Sequence, residues 1–120
     1  MARLDDPTRL AAYKNALSNW RFKDYIQFNL SEQSHQWIRK ELDGVTLEEI
    51  KRLMFEFVAT GGIIDEVRET RPMWCDRYEF HYDLRFPIQG RQVYIETRLH
   101  CRAPFVQDEP WILVANIHAP

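Results

Sequence analysis

The stretch YEFHYDLRFPIQGRQVYIETRLH, residues 78–100, carries its chemistry at alternate positions. His81, Asp83 and Arg85 alternate with Phe80, Tyr82, Leu84 and Phe86, and Tyr94, Glu96, Arg98 and His100 alternate with Val93, Ile95, Thr97 and Leu99. Successive side chains of a strand point to opposite faces, so two such strands present one oily face and one ionisable face. Cleavage of RNA by its own 2′-hydroxyl needs a base, an acid for the departing 5′-oxygen and a cation for the phosphate oxygens. Histidine suits either proton-transfer role because its unperturbed pKa is roughly 6.5. Arginine suits phosphate because its planar fork donates two parallel hydrogen bonds. The candidate catalytic residues are therefore His81, Glu96, Arg98 and His118: Glu96 or His81 as base, His118 or His100 as acid. Arg98 and Arg85 are expected on phosphate and Tyr94 as a stacking surface, so that Arg85, Tyr94 and His100 make up the substrate-binding set. Such a site needs neither a metal nor another cofactor.

Other chemistries fit the sequence less well. His81, Asp83, Glu96 and His100 are metal-ligand types, but residues two apart on a strand are too widely spaced to chelate one ion tightly, and no ligand spacing is recognisable. Cys75 and Cys101 form no C-x-x-C pair and have no identified base; in a cytosolic protein both are expected as free thiols. The competing structural explanation is an ordinary antiparallel sheet with one solvated face and alternating charges.

The elements that must position these side chains are strongly punctuated. Strands are expected over 63–71, 78–86, 92–100 and 111–118. Gln89-Gly90 is the expected turn centre between the second and third strands, which sets Phe86 opposite Val93, Leu84 opposite Ile95, Tyr82 opposite Thr97 and Asp83 opposite Glu96. Arg85 and Arg98, on the diagonals, are expected to neutralise those two carboxylates. On the last strand, Trp111, Leu113, Ala115 and Ile117 are expected inward, with Asn116 and His118 on the charged face. Three histidines would then converge. Glu66, Arg68, Glu69 and Arg71 fit either active-site residues or, the favoured reading, a charge-protected edge strand. Trp74 and Trp111 are expected as core or lid residues, and CRAPFVQDEP, 101–110, as a covering loop.

Helices precede these strands. Asp6-Pro7 is a helix start, followed by Leu10, Tyr13, Leu17 and Trp20 at helical spacing. Residues 21–30 fit a loop or a short strand. A second helix is expected from Ser31 to about Leu42, with Trp37, Ile38 and Leu42 inward. A third begins at a Thr46/Glu49 capping box, with Val45 and Ile50 at staple spacing, and ends at Gly61-Gly62. Helices followed by strands predict an α+β fold in one domain, residues 1–120: a helical half, about 6–62, packed on one face of a four-stranded antiparallel sheet, about 63–118.

Composition agrees with a folded domain. Hydrophobic residues are 45%, charged residues 28% and aromatics 13% of 120 residues, ordinary to rich for a globular chain. A net charge of −2 does not indicate a strongly basic nucleic-acid binder. No run approaches a membrane span or a signal-peptide core, so no membrane partner and a cytoplasmic location are expected.

The layout, a helical lead-in HQWIRKELDGVTLEEIKRLMFEFVATGG followed by a charged meander ending in WILVANIH, resembles small RNase toxins of the RelE/MqsR kind, within the barnase–EndoU–colicin–RelE-like grouping. The resemblance covers about residues 31–120 and rests on layout, with no diagnostic motif. It implies a metal-free endoribonuclease, an RNA substrate and an inhibiting antitoxin partner. Catalytic residues vary across such families, so the resemblance assigns no role to any residue here. The acidic balance, with Glu79, Asp83 and Glu96 on the polar face, departs from what RNA binding favours. Two other classes fit: a non-catalytic interaction module or small homodimer using the sheet, and a binder of a small molecule between helices and sheet.

Overall fold

A computed structural model describes residues 2–100 and 110–120. Along the chain lie β1 (Ala2–Arg3), α1 (Pro7–Ser18), β2 (Ile26–Phe28), α2 (Glu32–Glu41), α3 (Leu47–Ala59), β3 (Asp65–Arg68), α4 (Pro72–Cys75), β4 (Phe80–Ile88), β5 (Arg91–His100) and β6 (Trp111–His118). The fold is α+β, as expected, but the sheet is larger than four antiparallel strands. It has six strands in the order β1-β3-β4-β5-β6-β2 and is mixed, because β2 runs parallel to β6. Those two additions come from N-terminal segments of two and three residues, too short to show an alternating pattern. Among the described residues no helix is long and apolar enough to cross a membrane.

Each long helix begins where its cap dictates. The Asp6 carboxylate accepts a hydrogen bond from the Arg9 backbone N–H at 2.9 Å, with Pro7 at the first helical position. Ser31 Oγ accepts from Ser34 N–H and Thr46 Oγ1 from Glu49 N–H, both at 3.1 Å. The Glu49 carboxylate is engaged by Arg52, so the capping box forms from the threonine side.

The helices meet the oily face of the sheet. The Tyr13 hydroxyl lies 2.8 Å from Thr97 Oγ1, the Phe57 ring stacks on Phe86 with centroids 4.8 Å apart, and Ser34 Oγ accepts from the buried Ile117 N–H at 3.1 Å. Tyr82, Leu84, Phe86, Val93, Ile95, Ile112, Val114 and Ile117 complete that core.

The β4–β5 hairpin has the expected register: Phe86 with Val93, Leu84 with Ile95, Tyr82 with Thr97 and Asp83 with Glu96. Gln89 and Gly90 both have positive φ, 53° and 76°, the combination whose twist matches a two-residue hairpin.

Three expectations are corrected. The expected strand over 63–71 is the four-residue β3 followed by α4, which starts at Arg71-Pro72. Proline at the first helical position ends strand pairing there for the same reason that Pro7 opens α1. β3 is also not a bare edge, since β1 pairs with Asp65 and Glu66. On β6 the parity changes midway: Glu96 pairs with Asn116 but Thr97 with Val114, so Ala115 is an extra residue, a bulge. Ile112 and Val114, not Trp111 and Leu113, therefore face the core, and Trp111 and Leu113 join the polar face opposite His100 and Arg98. Ile117, Asn116 and His118 keep their expected sides. The 101–110 loop lies outside the described residues except for Pro110, and Cys101 lies outside them entirely; Cys75 is exposed and free.

Candidate functional site

The pairings order the polar face into cross-strand rows. One row runs Arg85, Tyr94, His118; the next runs Asp65, Asp83, Glu96, Asn116. Beyond it, Val67 pairs with His81 and Arg98 with Leu113; then come His100 and Trp111. Extending the Tyr82–Thr97 register by one residue sets His81 across from Arg98, with Glu96 and His100 on its diagonals at roughly 7–8 Å.

Three carboxylates, Asp65, Asp83 and Glu96, thus stand side by side, an arrangement that repels unless each finds a cation or a donor. Each does. Arg85 Nη1 lies 2.5 Å from Asp65 Oδ2. His81 Nδ1 lies 2.8 Å from Asp83 Oδ1. Glu96 Oε2 is shared by Arg98 Nη1 at 2.7 Å and Arg71 Nη2 at 2.5 Å.

This last group is a closed network beneath the Glu69–Tyr78 segment. Arg71 grips Glu69 with its Nε at 3.0 Å from Oε1 and Nη2 at 3.3 Å from Oε2, and its backbone N–H donates to Oε1 at 3.0 Å. Arg98, 0% exposed, has its guanidinium under the Trp74 ring, 4.7 Å from the centroid. Its Nη2 lies 2.7 Å from Glu69 Oε2, close enough for a strong ion pair, yet among the described residues neither Nη2 nor Nε has a hydrogen-bond partner. Burial alone would raise both glutamates. The hydrogen bonds from Arg71, together with the charges of Arg98 and Arg71, overcome it and hold Glu69 and Glu96 below the usual carboxylate range. Hydrogen bonds to Glu69 and Glu96 push Arg71 upward in turn.

These facts sort the sequence candidates. Glu96, expected as a possible base, is buried and held by two arginines, which keep its carboxylate below the usual range. Arg98 is placed beside the histidines but is covered. His81 is held by Asp83, with 13% of its side chain exposed. His100 accompanies it at one end of the face, where the Tyr78 hydroxyl lies 3.4 Å from His100 Nδ1 and Trp111 stacks at 4.7 Å. His118 is elsewhere. It is exposed, stacks on Tyr94 with centroids 4.8 Å apart, and sits two strands and two rows from His81, roughly 15 Å or more away by strand spacing. The expected convergence of three histidines is therefore a pair, His81 and His100, with His118 in a separate cluster. In that second cluster the Arg85 guanidinium lies 4.9 Å from the Tyr94 centroid. Burial, then the charges of Asp83 and Glu96, push the Tyr94 phenol far up, so it stays neutral.

His81, Asp83, Glu96 and His100 do not assemble a metal centre: among the described residues no three His, Cys, Asp or Glu side chains group in a way that holds an ion. The sequence favours an edge strand for Glu69 and Arg71 and core or lid for Trp74; it does not show that the three close over Arg98 and Glu96. The Arg71-Pro72 helix start was the available signal.

Comparison with known proteins finds no matching family model, no matching curated protein and no matching solved structure.

Proposed function

We propose that this protein is a metal-independent endoribonuclease of the toxin–antitoxin kind, working on RNA in the cytoplasm and held inactive by a partner antitoxin. The observation that carries the reading is the His81–Asp83 pair: a histidine on a rigid strand, its Nδ1 2.8 Å from a buried carboxylate. The carboxylate keeps the proton on Nδ1 and leaves the Nε2 lone pair free to accept one. His81 is the base and His100, its diagonal neighbour, the acid; a spacing of roughly 7–8 Å between strand positions lets two imidazoles flank one phosphodiester. His81 Nε2 takes the proton of the 2′-hydroxyl, the 2′-oxygen bonds to phosphorus, the bond from phosphorus to the 5′-oxygen breaks, and His100 protonates that oxygen. The products are a 2′,3′-cyclic phosphate and a 5′-hydroxyl. Arg85 and His118, on either side of Tyr94, give the flanking nucleotides a stacking shelf.

The test is cleavage of naked and ribosome-bound RNA by purified protein, with end analysis of the products. His81→Ala should lower the rate by roughly 10²–10⁴, the usual contribution of a positioned base. Asp83→Asn should do so with the fold intact, and EDTA should change nothing. Absence of cleavage on both substrates overturns the reading in favour of a non-catalytic interaction module.

A further inference from the structure

We infer that Arg71 and Arg98 form a binding site for a phosphate group, and that Glu69 fills it as an internal competitor which a phosphate displaces. Glu69 sits where β3 gives way to α4, and its backbone N–H is anchored to Glu79 C=O at 2.9 Å. Its carboxylate takes the two-pronged Arg71 fork, the geometry in which arginine also binds phosphate. Glu69 serves Arg98 poorly. It supplies opposite charge at 2.7 Å without a hydrogen bond, and Arg98 Nε, fully buried, has no hydrogen-bond partner among the described residues. A tetrahedral anion has more acceptor oxygens and more directions to offer than a flat carboxylate, so it can satisfy both guanidinium groups at once. Leaving such a buried donor bare is unfavourable, which supplies the drive for exchange.

Charge points the same way. Two arginines and two glutamates cancel; with Glu69 displaced, Arg71, Arg98 and Glu96 leave one net positive charge beside His81 and His100. Glu96 remains on β5 and keeps both arginines in place. Entry is from the Arg71 side, whose side chain is 42% exposed, whereas Trp74 caps Arg98. The site itself rests on the network alone. The proposed function enters only in naming an RNA phosphodiester as the phosphate carrier.

The experiment titrates inorganic phosphate, and separately a 2′-O-methyl oligonucleotide that cannot be cleaved, into wild type, Glu69→Gln and Glu69→Gln/Arg71→Ala. Calorimetry gives the affinity and circular dichroism confirms folding. Removing the competitor raises the competent fraction, so Glu69→Gln should bind phosphate roughly tenfold tighter or more, and Arg71→Ala should remove the gain. In unmodified protein, phosphate but not chloride at equal ionic strength should shift the arginine Nε–H resonances, which reads the site without touching the network. Equal phosphate affinity in wild type and Glu69→Gln, or unshifted resonances, overturns the inference. A gain for phosphate with none for the oligonucleotide supports the site and assigns it to free anions. Tighter phosphate binding in a protein that cleaves no RNA upholds the site and overturns the ribonuclease reading. Cleavage without any phosphate gain does the reverse.

Discussion

Replacing Arg98 by methionine keeps most of the volume and removes the charge from the centre of the polar face. Two carboxylates then share one cation, Arg71, in a place where the side chains of Glu69 and Glu96 are 1% and 6% exposed. Breaking a buried ion pair from one side costs about 3–5 kcal/mol, because the remaining charge stays out of water. The contact with Trp74 adds about 0.5–2 kcal/mol in isolation, but its loss is not additive with the pair. The expected total is therefore about 3–5 kcal/mol, read as a lower urea midpoint and a melting temperature reduced by roughly 10–20 °C. Arg39→Met is the control: its pair with Glu32 is largely exposed at both ends, and its loss should stay within about 0.5 kcal/mol. Adding Glu69→Gln to Arg98→Met removes one of the stranded charges and should recover at least about 1 kcal/mol. An Arg98→Met cost below about 1 kcal/mol, or no recovery in the double variant, would refute the claim that this network is buried and electrostatically coupled.

Acid should weaken the wild type through the same groups. Glu69 and Glu96 titrate below their ordinary value of 4.5 when folded, so their contribution is complete above that pH and is lost as pH falls through their folded values. Urea melts from pH 6 down to roughly 2.5 should show this loss, and Glu69→Gln should flatten it. Thr97 Oγ1 donates to Tyr82 C=O at 2.7 Å, so the Tyr13 hydroxyl must be the donor to Thr97. Tyr13→Phe should then cost about 0.5–1.5 kcal/mol, and Thr97→Val more, since it leaves the buried Tyr13 hydroxyl without its acceptor. Gly62→Ala would put a Cβ 2.5 Å from the Phe57 carbonyl oxygen and ring, and thermal melts should show a loss of about 1–3 kcal/mol.

The parts of the fold legible in the sequence were those set by local chemistry. Asp6, Ser31 and Thr46 cap helices because their side chains reach N–H groups three residues ahead. The Asp83–Glu96 pairing followed from the Gln89-Gly90 turn and the need to bury one face, and it stands. β1 was not legible, and β2 only as the short-strand alternative for 21–30 without its parallel pairing, because two or three residues carry no period and their partners are far away in sequence. The site was half legible. Face membership of His81, Glu96 and Arg98 followed from alternation, but their accessibility did not. Whether a charged side chain on a sheet face meets solvent depends on what crosses that face, and here Arg71 and Trp74 cross it.

The Ala115 bulge ties fold to site. In an unbroken register, residues 112 and 114 would face the polar side and Trp111 and Leu113 the core. The extra residue reverses that, setting Leu113 against Arg98 and Trp111 against His100. Apolar neighbours on one side and Trp74 above keep water from the Arg98 guanidinium, and in such surroundings every charge interaction is stronger than at a wet surface. The same seclusion makes Arg98 dependent on its carboxylates and makes the exchange of one anion for another energetically consequential. A solvated sheet face needs none of this: it would leave its arginines in water and its carboxylates loosely paired. The dry, capped and imperfectly satisfied Arg98 therefore weighs against reading this face as ordinary surface.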